Sequence, residues 1–118
     1  HIFVDGTLNK NQVTYMIDTG AEGSLLHLWA AKKNDCQVGP MDQEIFGIGG
    51  KAPAAVTRID ELTMGDAVLT NRKVLSADLA RFQKDDELGY AGIFGADFMR
   101  ELEAVITYRE SRVFLRQD

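Results

Sequence analysis

The sequence predicts an all-β domain with one or two short helices. Short apolar runs of strand character recur along the 118 residues, and glycine, asparagine or aspartate separates them. Eleven glycines are typical of a protein with many turns, and only two prolines argue against a disordered linker. Helical spacing of apolar residues appears only in short stretches, so strands carry most of the predicted fold.

A hairpin is predicted at the start of the chain. Ile2-Phe3-Val4 opens the first strand, and the second runs from Gln12 to Ile17. The turn falls either at Asp5-Gly6 or at the polar stretch 9–11. Such a pairing places the N-terminal strand beside the strand that leads to Asp18.

The stretch 13–26, VTYMIDTGAEGSLL, is the most informative in the chain. An apolar run predicts a buried strand, and carboxylates avoid such runs unless something holds them there. Gly20 and Gly23 then permit a tight turn. We therefore expect Asp18 at a strand end, pointing into a cleft. The alternative is that Asp18 only starts a turn, since aspartate and glycine are common turn residues.

Residues 24–33 have helical spacing, with Ser24 as a possible cap and two lysines near the C-terminal end. Trp29 is expected to be a core or subunit-contact residue, and His27 to be partly exposed in a helical turn. Cys36 follows in a polar loop, where we expect a structural or exposed thiol rather than a nucleophile, because no histidine is placed to activate it.

A glycine-rich hairpin is predicted next. The residues Gly47, Ile48, Gly49 and Gly50 lie between two apolar arms, and glycine permits positive φ and motion at a hairpin tip. The alternative to a mobile hairpin is an ordinary surface hairpin, which the same residues also fit. A phosphate-binding loop is disfavoured, because neither GK[ST] nor a strand-GxGxxG-helix context accompanies the glycines.

Two further strands are expected at 59–64 and 67–75 around the turn Gly65-Asp66, followed by a charged loop over 82–88. In the second anchor stretch, 89–95, Ile93-Phe94 is expected to be buried. Gly92 and Gly95 allow two backbones to pass closely.

The C-terminal part of the chain predicts a short helix and a last hairpin. Asp97 is expected to cap a helix over 98–102 rather than to act in catalysis. The hairpin is expected to have its strands at 103–108 and 112–116.

Composition narrows the class of protein. The length fits one domain, 1–118, and a net charge of −5 without a basic cluster disfavours nucleic-acid binding. A single cysteine excludes an internal disulfide, and two histidines give little support for a zinc site or a Ser-His-Asp triad. The sequence has no transmembrane run or signal peptide. Because the sequence begins at His1, we expect it to be an excised part of a longer protein. The sequence does not indicate the cellular compartment.

Taken together, Asp18-Thr19-Gly20-Ala21 and the later segment 91–98, AGIFGADF, resemble the retropepsin-like aspartic proteases. The resemblance implies a closed β-barrel of the acid protease fold, of the single-lobe homodimeric type, in a bacterial or cellular member. It implies no cofactor or metal. In that family the terminal strands often join those of a second subunit.

The resemblance also implies roles at matched positions. Asp18 is the catalytic carboxylate, Thr19 hydrogen-bonds across the dimer axis, and Gly20 offers its carbonyl to the substrate backbone. The glycine-rich hairpin corresponds to the flap that closes over substrate. The remaining implied substrate-binding residues are Ala21, Glu22, Ile93, Phe94 and Gly95.

One position departs from the viral members of the family. They carry an arginine directly after the glycine that matches Gly95, whereas this chain has Ala96. The ion pair made by that arginine is therefore absent or rebuilt, with Arg100 as a candidate, and this affects the dimer geometry around Glu22.

The reaction of this class needs two carboxylates that share one proton. Asp-Thr-Gly occurs once here, so the second carboxylate must come from a second copy of the chain. The first hypothesis is a homodimeric aspartic endopeptidase acting on peptides bound in extended form. The alternatives are a catalytically silent peptide-binding or assembly domain, and a regulatory domain active only with flanking segments.

Overall fold

The computed structural model describes residues 2–18, 20–21, 23–47, 50–82 and 89–102. These contain eight strands, two short helices and one 3-10 turn. The strands are β1 Ile2–Leu8, β2 Asn11–Ile17, β3 Leu25–His27, β4 Gln37–Val38, β5 Gln43–Gly47, β6 Gly50–Met64, β7 Ala67–Ala77 and β8 Gly92–Phe94. Helix α1 is Leu28–Lys33, the 3-10 turn is Leu79–Phe82, and α2 covers 96–102.

Six of the strands close into a barrel in the order β1-β2-β8-β3-β7-β6, because β1 also pairs with β6. The β2–β8 and β3–β7 pairs are parallel, and the others in the ring are antiparallel. Closure removes the free edges that a flat sheet would expose. The predicted all-β barrel with short helices is confirmed.

The barrel closes where β1 crosses β6, and Gly6 makes this approach possible. A β-carbon on Gly6 would overlap the carbonyl oxygen of Thr63 and lie 2.9 Å from the Tyr15 ring. Tyr15 in turn donates its hydroxyl to the Thr7 carbonyl oxygen at 2.6 Å. The absence of a side chain at Gly6 therefore lets three strands meet.

Two apolar clusters lie on opposite faces of β2. The first, the barrel core, includes fully buried Leu8, Tyr15, Leu26, Ile59, Leu62 and Phe94. The second, which we call the hairpin cluster, consists of Met16, Ile45, Ala52, Ala54, Ala77, Leu79 and Tyr90. Alternation along a strand explains the division, since Tyr15 and Ile17 face the barrel core and Met16 faces the hairpin cluster.

Several predicted elements are confirmed. The first turn lies at Asn9-Lys10, where φ is 48° and 74°, and the Asp5-Gly6 alternative lies inside β1. Two consecutive positive φ values suit the tight turns of β-hairpins. The Gly65-Asp66 turn joins β6 to β7, which runs two residues beyond the predicted Leu75.

The predicted helix over 24–33 is wrong in its first half. Leu25–His27 is strand β3, inserted between β7 and β8, and the helix begins at Leu28. Hydrogen bonding to two distant strands overrides the local helical spacing. Ser24 is therefore not a helix cap, since His27 occupies that position without a side-chain capping bond.

The structure also bears on expectations for single side chains. Trp29 is 62% exposed, so it is not a core residue, and Lys33 lies over its ring at 4.7 Å. Its alternative role as a subunit contact stays a prediction. Phe94 is fully buried, but Ile93 is only partly buried. Cys36 is buried, as a structural thiol would be.

The helix expected over 98–102 begins earlier, at residue 96, so Asp97 lies within its first turn and does not cap it. Of the loop predicted over 82–88, Phe82 is instead the last residue of the 3-10 turn, and 83–88 lie outside the described residues. The predicted last hairpin also lies outside them. Neither helix in the described part of the chain is long and apolar enough to cross a membrane.

Candidate active site

Asp18 follows directly after the last residue of β2, and backbone hydrogen bonds fix its position. Its amide donates to the Phe94 carbonyl oxygen at 3.0 Å, which extends the parallel β2–β8 pairing by one residue. The Ala21 amide returns to the Asp18 carbonyl oxygen at 3.1 Å, closing a turn. The Gly20 amide donates to the Asp18 carboxylate at 3.1 Å. The half-buried carboxylate is thus held at the end of a barrel strand.

The loop after Asp18 packs tightly on the second motif. A β-carbon on Gly95 would lie 2.5 Å from the Ala21 carbonyl oxygen and 2.9 Å from that of Gly23, closer than real β-carbons come. The Ala96 amide donates to the same Ala21 oxygen at 3.0 Å. Residues more than 70 positions apart therefore form one rigid junction, and the close backbone approach expected at Gly95 is confirmed.

Ser24 adds a side-chain link to this junction. Its buried hydroxyl accepts from the Gly95 amide at 2.9 Å and donates to the Asp97 carboxylate at 2.7 Å. A charge-assisted bond of this kind is stronger than a neutral one. Sequence reasoning missed this pair, because a small polar residue before an apolar run also fits a helix cap. The sequence gives no signal for a contact across 73 residues.

The surface next to the carboxylate is apolar. Met16 lies two residues before Asp18, and alternation along β2 puts both on the same face. Ile93 on β8 lies between Met16 on β2 and Leu25 on β3 and pairs with both. Ile93, Leu25 and Leu75 pack against the hairpin cluster. The strand end that carries Asp18 therefore adjoins an apolar surface.

The β5–β6 hairpin covers this apolar surface. Ile45 and Ala52 lie opposite each other on its two arms and belong to the hairpin cluster. Gly47 pairs with Gly50, whose φ of +110° is a conformation that side chains rarely adopt. Phe46 points outward with 76% exposure. The predicted glycine-rich hairpin is confirmed as a structural element.

The structure brings Asp18, Gly20, Ala21 and Gly95 together. Among the other predicted site residues, the Phe94 side chain lies in the barrel core, stacked on Phe98 with ring centroids 4.5 Å apart. The predicted residues outside the described part of the chain are Thr19, Glu22, Ile48 and Gly49.

No group of three or more metal-binding side chains was found in the described ranges. The ion pair that Arg100 was suggested to rebuild stays a prediction, and Glu22 lies outside the described residues. Within those ranges the recorded ion pair joins Arg72 to Glu101 at 3.3 Å, in partly exposed surroundings.

A closed barrel whose Asp-Thr-Gly aspartate is hydrogen-bonded to an apolar-apolar-glycine segment is the arrangement of the aspartic proteases. A family model described as aspartyl protease matches residues 4–98, and the chain belongs to this family.

Two solved structures show the same fold. EIAV protease, solved with the inhibitor HBY-793, is 19% identical with a TM-score of 0.66, and the match covers 86% of this chain and 88% of that one. A retropepsin-like aspartic protease from Rickettsia conorii is 17% identical with a TM-score of 0.61, covering 85% and 78% respectively. The chain thus has the retropepsin fold. A search of curated proteins found no match.

Proposed function

We propose that this chain is an aspartic endopeptidase in which two copies each contribute Asp18 to one catalytic centre. The observation that carries the proposal is the position of Asp18, at the end of β2 and fixed by the Phe94 carbonyl and the Gly20 amide. Because the chain contains one Asp-Thr-Gly, the second carboxylate comes from a partner copy.

The chemistry follows from two carboxylates in close proximity. At a separation of about 3 Å, two like charges resist ionising together, so the pair holds one proton. The ionised carboxylate takes a proton from water, which attacks the peptide carbonyl carbon, while the protonated carboxylate donates to the carbonyl oxygen. The tetrahedral intermediate then collapses: the carboxylate that took the proton from water gives it to the nitrogen, the C–N bond breaks, and the other carboxylate regains its proton as the C=O bond re-forms.

Substrate recognition in this proposal uses the β5–β6 hairpin as a flap. An extended peptide lies between the hairpin and the strand end of Asp18, where backbone groups can hydrogen-bond as in a sheet. Gly20 supplies its carbonyl on one side, with Ala21 beside it, and the flap tip, Gly47 to Gly50, supplies backbone groups on the other. The Phe94 side chain lies in the barrel core, so Phe94 acts through the carbonyl that holds Asp18.

The hairpin cluster sets the expected specificity. Met16 and Ile45 are buried between the hairpin and the barrel, and Ile93 packs against them, so the surface that a lifted hairpin offers to a peptide is apolar. Peptides with apolar side chains around the cleaved bond are therefore the expected substrates. Burying one such side chain contributes roughly 1.5–3 kcal/mol to binding.

The decisive variant is Asp18→Asn, which keeps the shape of the side chain but cannot serve as the general base. We expect peptide cleavage to fall by about a thousandfold or more, with unchanged folding and dimerisation. The matched control is Asp66→Asn at the exposed β6–β7 turn, which keeps full activity. The substrate is a peptide library, and cleavage is followed by mass spectrometry.

Three outcomes are distinguishable. Loss of cleavage in Asp18→Asn alone supports the proposal, and full cleavage in that variant contradicts the role of Asp18. If the wild type forms a dimer, binds peptides and cleaves none, the chain is instead a silent peptide-binding or assembly domain.

A further inference from the structure

A histidine connects β3 to the turn that follows β7. His27 is the last residue of β3, and its Nδ1 accepts a hydrogen bond from the backbone N–H of Leu79 at 3.3 Å. An accepting ring nitrogen carries no proton, so this contact requires neutral His27 with its proton on Nε2. The histidine was expected in a helical turn, and its placement in a barrel strand is what allows this contact.

The residue bound by His27, Leu79, belongs to the hairpin cluster beside the proposed active site. Leu79 begins the 3-10 turn, is 3% exposed and packs in the hairpin cluster with Met16 and Ile45. The turn follows β7 after one residue, Asp78. The position of the Leu79 side chain therefore depends on an amide that has His27 as its hydrogen-bond acceptor.

Solvent reaches the histidine through an open cleft. His27 is partly buried and lines this cleft, and its own amide donates to the Ala91 carbonyl oxygen at 2.8 Å. The titratable side chains described along the same cleft are Lys32 and Lys33 from α1, Asp78 from the end of β7 and Tyr90 from the segment before β8. The imidazole can thus exchange its proton with water while its Nδ1 faces the turn.

We propose that His27 is a positioning residue that makes substrate affinity depend on pH. Neutral His27 holds Leu79 in the apolar wall of the binding cleft. Protonated His27 presents an N–H to the Leu79 N–H, and two donors cannot bond to each other. Protonation of the ring on acidification therefore releases the turn. The proposal rests on the proposed proteolytic function.

The first test needs no activity. The amide of Leu79 is followed by NMR while the pH is lowered from about 7.5 to about 5 in the full chain. We expect its proton shift to follow the titration of the His27 ring with the same midpoint, and its exchange protection to fall. The chain has two histidines, so comparison with a His27 variant assigns the ring.

Two amide variants sharpen the test. His27→Asn places an oxygen near the position of Nδ1 and does not titrate, whereas His27→Gln places its amide near the position of Nε2. We expect the Leu79 amide to stay protected at both pH values in His27→Asn and to lose protection at both in His27→Gln. Thermal melting of each variant confirms that the fold is kept.

The second test uses peptide cleavage. On acidification, KM of the wild type for an apolar peptide should rise about two- to tenfold more than KM of His27→Asn, as expected for one lost hydrogen bond. The kcat value should change equally with pH in both proteins, because the substitution leaves Asp18 and its hydrogen bonds unchanged. A Leu79 amide that does not titrate, or the same change of KM in both proteins, overturns the proposal. A chain that cleaves nothing contradicts the proposed function and leaves the NMR result to decide the role of His27.

Discussion

At the scale of single residues, Ser24 shows how much the junction at the active site depends on one hydroxyl. It accepts from the Gly95 amide and donates to Asp97, and it is buried. Removing it leaves a buried amide without its partner beside the loop that carries Asp18. Such a loss typically costs 1–3 kcal/mol, and more where a charged group is involved.

We therefore expect Ser24→Ala to lower the free energy of unfolding by about 1–3 kcal/mol and to lower kcat more than it raises KM. The reason is that the loop holding the carboxylate loses its side-chain anchor. Urea unfolding and steady-state kinetics measure the two effects. Ser24→Thr keeps the hydroxyl and should recover most of both. A Ser24→Ala protein with normal kcat would show that the backbone bonds at Ala21 and Phe94 are sufficient.

Cys36 gives a second prediction at this scale. Burial, and then the nearby carboxylates of Asp60 and Asp35, raise the pKa of the thiol to about 11. The unfolded thiol loses its proton at about pH 8.5. The folded state therefore holds the proton over a range where the unfolded state has lost it, so stability is complete below this range and falls as pH rises through it.

The expected loss is on the order of 2 kcal/mol between about pH 8 and about pH 11. Burial also raises the pKa of Tyr15, which adds a loss in the same direction, so the comparison needs Cys36→Ala. That variant should lose less stability over this range in chemical unfolding experiments. Parallel curves for the two proteins would mean that the thiol does not contribute.

At the scale of elements, the closure of the barrel depends on Gly6. No side chain fits between β1 and β6 at this position, because the Thr63 carbonyl and the Tyr15 ring already occupy the space. We expect Gly6→Ala to destabilise the protein by at least about 2 kcal/mol, since one strand must move away from the other. Circular dichroism with thermal unfolding measures the change. Gly89→Ala is the matched control, because a β-carbon there meets nothing within 4 Å. Equal stability of the two variants would contradict the packing argument.

The elements also show which parts of the fold could be predicted. The β1–β2 and β6–β7 hairpins were found because their turns, Asn9-Lys10 and Gly65-Asp66, lie between apolar runs that pair with each other. The strand Leu25–His27 was missed because its partners are β7 and β8, about 50 and 67 residues further along the chain. Helical spacing is a local property, and it does not show that a segment will pair between two strands that are distant in the sequence.

The candidate site could also be predicted only where a residue lies in a local sequence motif. Asp18 and Gly95 were identified because each lies in a motif with its own local pattern. Ser24 and His27 were not assigned their observed contacts, because each depends on a partner brought close only by closure of the barrel, Asp97 and the Leu79 amide respectively. Side chains that support a site from a distance carry no fixed spacing in the sequence.

At the scale of the whole molecule, the proposed function makes the catalytic unit larger than the chain. Each barrel contributes one Asp18 carboxylate, and the reaction needs two. A single barrel should therefore be inactive. This requirement gives a quantitative prediction for mixtures. Wild type and Asp18→Asn are combined in equal amounts at constant total protein and allowed to exchange subunits.

Random pairing makes about one quarter of the dimers fully wild type and about one half mixed. If both carboxylates are needed, activity falls to about one quarter of that of the pure wild type, whereas chains that work singly give about one half. Mixing wild type with Asp66→Asn should leave activity unchanged and controls for effects of dilution or handling. Native mass spectrometry confirms that exchange is complete. A value near one half with complete exchange would mean that each barrel supplies its whole catalytic centre, and the shared pair of Asp18 carboxylates would have to be abandoned.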